Sequence, residues 1–193
     1  MSDRLYLTYT LSAKSAAAMA DHFATLVLQF PVSRLAKAES ALRVFPIRFD
    51  EVPIFETPFL APVDEDRLRS LVREYAKPDH AFEFETFWDL WQHDGSDWHV
   101  APARVRLTGH GPDFEGPDPD EHLSIEFGLE SQFLPDLSDA ASLRTAQSNI
   151  RSLLHLVSQI DASLPVHKRR LWSESGENFA EKLESKLRST EVQ

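Results

Sequence analysis

The chain has no cysteine. That excludes disulfides, thiolate zinc sites, iron–sulfur clusters and a cysteine nucleophile. It fits a reducing compartment, and a cytoplasmic location is the expectation. Nor does any stretch approach the ~18 uncharged apolar residues needed to cross a bilayer, so no membrane span is expected. The opening residues, MSDRLYLTYTLSAKS, lack a basic segment followed by a long apolar run and do not read as a secretory signal. Positive charge is scarce: 20 Lys+Arg stand against 31 Asp+Glu, a formal charge of −11. A field of that sign repels nucleic acid and anionic lipid at long range; it favours solubility and a basic partner. The familiar catalytic signatures G-x-S-x-G, H-E-x-x-H and the Walker loop are also missing.

What is present is a globular pattern. With 193 residues, of which 42% are hydrophobic and 26% charged, the chain can bury a full core without staples. Neither an internal repeat nor a linker-like change of composition interrupts it, so residues 1–193 read as a single α+β domain. Leu5, Leu7, Tyr9 and Leu11 alternate with polar residues, as in a half-buried strand. Residues 13–30 carry Met19, Phe23, Leu26, Val27 and Phe30 at helical spacing, and Pro31 stops that helix. Residues 42–49 suggest a strand that Pro46 confines to an edge or a bulge. The Pro-punctuated stretch from Pro53 to Pro62 reads as extended chain lying on the core. Asp64 can cap a helix bearing Leu68, Leu71, Val72 and Tyr75, which Pro78 ends.

Strands are then predicted at 82–92, 98–108 and 122–130, the last separated from the others by an acidic Pro/Gly loop, residues 109–121. Ser138 is a candidate cap for a helix over 139–163 that presents Leu143, Ala146, Ile150, Leu153, Leu154, Val157 and Ile160. Pro165 ends it. A last helix, 176–188, carries Phe179, Leu183 and Leu187. The fold class that follows is α+β: an antiparallel sheet, made of a meander over 82–130 and N-terminal strands, packed by amphipathic helices in two layers.

The stretch ETFWDLWQHDGSDWHV, residues 85–100, allows a register to be set. Taking Asp94–Asp97 as the turn puts His93 opposite Trp98. Counting back, one face receives Phe84 with Leu107, Thr86 with Val105, Trp88 with Ala103 and Leu90 with Ala101. The other receives Glu85 with Arg106, Phe87 with Arg104, Asp89 with Pro102 and Trp91 with Val100. A slip of one residue would mix the two sets. Glu85–Arg106 then reads as an ion pair and Phe87–Arg104 as a cation–π contact. Trp91 and Trp98 fall on the face opposite the core, to be covered by a helix or left as an anchor surface for a partner.

Other chemistry is weaker. His93, Asp94, Asp97 and His99 have metal-compatible side chains, but no third histidine is fixed near them, so no metal site is expected. His93–Asp94 in a hairpin does not match the helical site of metal-dependent phosphohydrolases. His122-Leu123-Ser124 has half of a two-histidine phosphoesterase pattern, and no other histidine supplies the second half. Glycines 109, 111 and 116 surround Pro112, Asp113 and Glu115, which would repel a phosphate. The carboxylates of the same loop lack EF-hand spacing for calcium. His167, Lys168, Arg169 and Arg170 form the basic cluster, a helix-end cap or a weak anion contact.

No cofactor is implied. The expected function is a non-enzymatic protein-interaction domain, inhibitor- or adaptor-like or self-associating, contacting a protein partner or a second copy through Trp91, Trp98, Phe87 and Arg104. The alternative is a small hydrolase or transferase whose His and carboxylate groups meet only in three dimensions. A deep pocket holding two or more of His93, His99, His110 and His122 would favour the enzyme, and an aromatic surface the binder.

Overall fold

The computed structural model describes residues 3–12, 15–116, 118, 120–136 and 139–188. The alternating N-terminal segment forms β1 (Arg4–Leu11), and Ser15 caps α1 (Ala16–Gln29) by accepting the N–H of Ala18. Then follow β2 (Ser40–Pro46), β3 (Phe55–Phe59), α2 (Glu65–Glu74), β4 (His80–His93), β5 (Trp98–His110) and β6 (Leu123–Leu129). A single 3₁₀ turn (Glu130–Gln132) leads to α3 (Ala140–Ser163), β7 (Val166–Ser173) and α4 (Phe179–Arg188). The strands form one seven-stranded sheet in the order β3-β2-β4-β5-β6-β1-β7, every neighbouring pair antiparallel.

One layer of helices covers one face of this sheet. Leu7 and Tyr9 of β1, Val44 of β2, Phe84 and Trp88 of β4, Val105 of β5 and Ile125 of β6 meet Phe23 of α1, Val72 of α2, Leu156 of α3 and Phe179 of α4 in a common apolar core. The other face has no helix over it among the described residues. At one end, loop residues Phe49 and Phe114 fold onto that face beside Phe45.

The hairpin register deduced from apolar patterning is the one observed, from Ala81 opposite His110 to His93 opposite Trp98, with Trp88 facing Ala103. Its turn is Asp94–Asp97. The Asp94 carboxylate accepts the Ser96 hydroxyl and the N–H groups of Ser96 and Asp97; those bonds, the hydroxyl foremost, hold its carboxyl well below the ordinary range. Gly95 supplies the positive φ of 99°.

Several expectations are corrected. β2 lies inside the sheet, and Pro46 ends it rather than marking an edge or a bulge; Ile47 then turns into the left-handed region at φ 60°. The segment after Pro53 is not merely draped on the core but supplies the edge strand β3, whose Pro58 is tolerated at that position. The cap of α3 is Asp139, which accepts from Ala141 and Ser142; Ser138 lies outside the described residues, as does the side chain of Leu187. On α3 the buried stripe runs through Ser142, Thr145, Ala146, Asn149, Leu153, Leu156 and Ile160, while Leu154 is 60% exposed. The apolar run Leu153–Leu154 left the helix phase ambiguous, and Asn149 settles it.

β4 has 14 residues and its neighbour β2 only 7. β2 pairs with β4 up to Glu85, and β6 pairs with β5 no farther than Arg106. Residues 86–93 and 98–105 therefore run on as an overhanging two-stranded ribbon. The exposed edge of β4 must be satisfied otherwise. The buried Asn149 does so at Trp91: its Oδ1 accepts the Trp91 N–H at 3.0 Å and its Nδ2 donates to the Trp91 carbonyl at 2.9 Å. The same amide nitrogen reaches the Gln132 carbonyl at 2.8 Å. Nearer the sheet, the Ser33 N–H donates to the Phe87 carbonyl at 2.7 Å, and the Asp89 carboxylate accepts the Ser33 hydroxyl and the Arg34 N–H.

Two stability experiments follow. Leu156→Ala should lower unfolding free energy by ~2–5 kcal/mol in urea titration, whereas Leu154→Ala should stay within ~0.5 kcal/mol of wild type. Equal losses in the two would contradict the observed phase of α3. Asn149→Ala leaves three partly buried main-chain groups without their partner and should cost ~1–3 kcal/mol while speeding hydrogen exchange at the Trp91 amide. An unchanged Trp91 exchange rate would mean that the amide does not hold that edge.

Candidate functional site

Phe87, Trp91, Trp98 and Arg104 all alternate to the side of the ribbon away from Trp88 and Leu90, as their register requires. They do not merge into one aromatic plate. Trp98 meets His93 edge-on at 5.2 Å and donates its Nε1–H to the Asp139 carboxylate at 3.3 Å. Asp139 caps α3, and its carboxyl is held below the ordinary range by the Ala141 N–H first and by the Trp98 indole among the rest. Trp91 borders Ala141, Arg144 and Thr145 on the first turns of α3. The helix that abuts the far end of the hairpin is thus α3. Phe87 lines a cavity at the sheet edge. Arg104, its side chain 68% exposed, reaches Glu85 at 3.5 Å. Among the described residues no arginine lies over Phe87, so the expected cation–π contact is not formed. Between these residues, Val100 is 40% exposed and Pro102 is exposed as well.

The outer edge of β5 is also informative. Trp91 gives both main-chain groups to Asn149, so Trp91 and Val100 are a non-hydrogen-bonded pair. The N–H and C=O of Val100 then point away from β4, as does the backbone of Pro102. Pro102 removes a donor from that free edge. That interrupts the ladder a partner strand could add there, and the more accessible contact is the face.

The rest of the helix-free face is dominated by a feature that sequence reading missed. Glu56, Arg43, Glu83, Arg106, Glu126 and Arg4 form a row of alternating charge across β3, β2, β4, β5, β6 and β1. Successive contacts measure 3.1, 2.9, 3.2 and 3.3 Å, and the Arg4 guanidinium closes on Glu126. The pair expected from direct opposition, Glu85–Arg106, is replaced: Arg106 leans diagonally to Glu83 and Glu126, and Glu85 pairs with Arg104 and Arg43. Beyond the row, Tyr6 stacks on Trp172 at 4.7 Å.

The basic cluster lies on β7, an edge strand, and not at a helix end. Strand alternation splits it. Arg169 turns to Asp161 of α3. Arg170 lies over the Trp172 ring at 5.1 Å and donates to the Gly176 carbonyl at 3.2 Å. Lys168 is exposed on the strand between His167 and Arg169. The three cations therefore do not converge as one cradle.

The four histidines do not converge either. His93 and His99 sit at the hairpin tip, where His99 faces Asp94 at 3.7 Å. His110 and His122 are buried at the far end of β5 and the start of β6. His110 stacks on Phe114 at 5.7 Å, and the His122 Nδ1 accepts the Leu11 N–H at 2.9 Å. None of the four lines the notch at Phe87, the groove beside Trp91 or the three other surface cavities around Tyr6, Lys182 and Pro58. Among the described residues no group of three His, Asp or Glu side chains is placed to hold a metal, and no helix is long and apolar enough to cross a membrane. Comparison with protein-family models, with curated proteins and with solved structures finds no match.

Proposed function

We propose that this protein is a protein-interaction module, inhibitor- or adaptor-like or self-associating, whose contact surface is the helix-free face of the β4–β5 overhang. The observation that carries this reading is the overhang itself. It presents Trp91, Val100, Pro102 and Arg104 beyond the sheet, held at one end by α3 and at the other by the 31–39 loop. Aromatic and arginine side chains on a braced surface are the usual anchors of protein interfaces. The wide separation of His93 and His99 from His110 and His122 supports the same choice over a hydrolase or transferase.

A net charge of −11 favours encounter with a basic partner and disfavours nucleic acid. A chain without cysteine is suited to the reducing cytoplasm. Val100→Asp combined with Arg104→Glu should leave the thermal unfolding midpoint unchanged, because both side chains are exposed. The same pair should weaken association by ~2 kcal/mol or more. Sedimentation velocity reports self-association, and titration against a co-purified protein reports a hetero-complex. Wild-type association in the double variant by both measurements would overturn the reading.

A further inference from the structure

Where β4 runs past β2, the sheet lacks a strand, and the gap is not filled. β2 begins at Ser40 and β3 ends at Phe59, so β4 from Phe87 onward has no neighbour on that side. A cavity of about 790 Å³ occupies the notch. Its walls are the end of α1, with Val27 and Phe30, the Leu60–Val63 segment, and Phe87 of β4. The 31–39 loop closes the remaining side.

This loop is pinned rather than collapsed. Ser33 bonds to β4 through both its N–H and its hydroxyl, and its Oγ in turn accepts the N–H groups of Leu35 and Ala36 at 3.1 and 2.9 Å. The Phe87 carbonyl of the overhang is satisfied by the Ser33 N–H, and the Asp89 carboxylate anchors the loop. What the cavity offers a ligand is a mixed lining, with apolar side chains such as Leu60, Val63 and Phe87 and the charges of Arg34 and Lys37.

Arg34 and Lys37 line that mouth, and among the described residues neither has a carboxylate within 4.0 Å. Glu39 lies on the opposite rim, toward Arg67. Two large apolar side chains stand out at or near the rim: Leu60 at 70% and Leu35 at 53% exposure. The volume lies in the range of sites that enclose a whole small ligand, roughly 300–1,000 Å³. A mixed lining that includes the exposed Leu60 beside Val63 and Phe87, with two cations at the opening, matches a molecule that has a hydrocarbon body and one anionic end.

We propose that the notch binds a small single-chain anionic amphiphile. Its chain lies on Leu60, Val63 and Phe87, and its anionic group lies at Arg34 and Lys37. A cationic amphiphile is repelled at the mouth, and a neutral one forgoes the charge-assisted contacts. The site is separate from Val100 and Arg104, so its occupancy does not depend on the interaction surface described above.

The test is calorimetric titration of the full chain with dodecanoate, dodecyl phosphate, dodecanol and dodecyltrimethylammonium, each below its micelle-forming concentration. One dodecanoate or dodecyl phosphate should bind per chain, ~10-fold or more tighter than dodecanol, and the cation should not bind. Which anion binds tighter distinguishes a carboxylate from a phosphate ligand. Arg34→Glu with Lys37→Glu should erase the preference for the anions while thermal unfolding stays as in wild type. Val63→Trp should block the chain and reduce binding of both anions and of dodecanol, and Glu39→Gln should tighten the anions. Val100→Asp with Arg104→Glu should change none of this. Equal affinity for dodecanol and dodecanoate, several ligands per chain, or anion binding that survives the Arg34/Lys37 reversal would overturn the proposal.

Discussion

The rest of the molecule is arranged around a mismatch in strand length. β4 and β5 are about twice as long as the strands on either side of them. A strand that outruns its neighbour leaves main-chain donors and acceptors without partners, and leaving such groups dry and unpaired is costly. Asn149, Ser33 and Asp89 take the place of the missing strand on the β4 side. Asn149 fits the role because a side-chain amide holds an N–H donor and a C=O acceptor in one plane, as a peptide group does, with a second N–H left for the Gln132 carbonyl. That requirement fixes the rotation of α3, because Asn149 has to face the edge, and Leu153, Leu156 and Ile160 then fall on the core. The same mismatch produces both candidate sites: the exposed hairpin face where the ribbon projects, and the notch where the sheet is one strand short.

The helix-free side of the sheet meets a different constraint. A seven-stranded antiparallel sheet covered on one side only must present a face that water tolerates. The alternating row from Glu56 to Arg4 does this with charges of both signs. Each exposed pair contributes little by itself, at most ~1 kcal/mol, but a shared guanidinium such as Arg106 ties two strands at once. Glu83 is 8% exposed, so its carboxylate depends on Arg43 and Arg106 for compensation. The row also keeps the acidic excess of the chain from concentrating on this face, because each carboxylate in it touches an arginine. Interaction through the hairpin end then does not require a partner to displace a dense field of one sign.

The parts of this arrangement that were legible in the sequence are those written in period two. The hairpin register could be set because Trp88 against Ala103 and Leu90 against Ala101 separate cleanly from Asp89 and Trp91. The α2 face was readable for a similar reason, with Leu68 and Val72 one turn apart. Periodicity was less decisive where apolar residues ran together, as at Leu153–Leu154, and misleading where charges ran together. Val166–Ser173 carries His167, Lys168, Arg169 and Arg170 in succession, which resembles a solvated helix end; its pairing with β1 depends on Tyr6, Thr8 and Thr10, distant in sequence. The diagonal ion pairs come from sheet twist, which a flat register does not contain. The candidate anchor residues were placed on the correct face, but their contacts with α3 and the notch were not, since both arise from where neighbouring strands stop.

The sheet edges further limit how another molecule can approach. Edge strands invite pairing with a foreign strand, and each open edge here is obstructed. β3 contains Pro58, and Arg67 of α2 bonds the Thr57 hydroxyl at 2.7 Å and lies over Phe59 at 4.5 Å. β7 carries consecutive cations, so pairing two copies of it would bring like charges together. The overhanging edge of β4 is occupied by Asn149, Ser33 and Asp89, and that of β5 is interrupted by Pro102. With strand addition disfavoured at these edges, recognition falls to surfaces made of side chains. The hairpin face meets that condition because Val100, Pro102 and Arg104 project from it. The notch meets it because Ser33 and Asp89 hold the 31–39 loop off the sheet and leave a cavity lined by side chains.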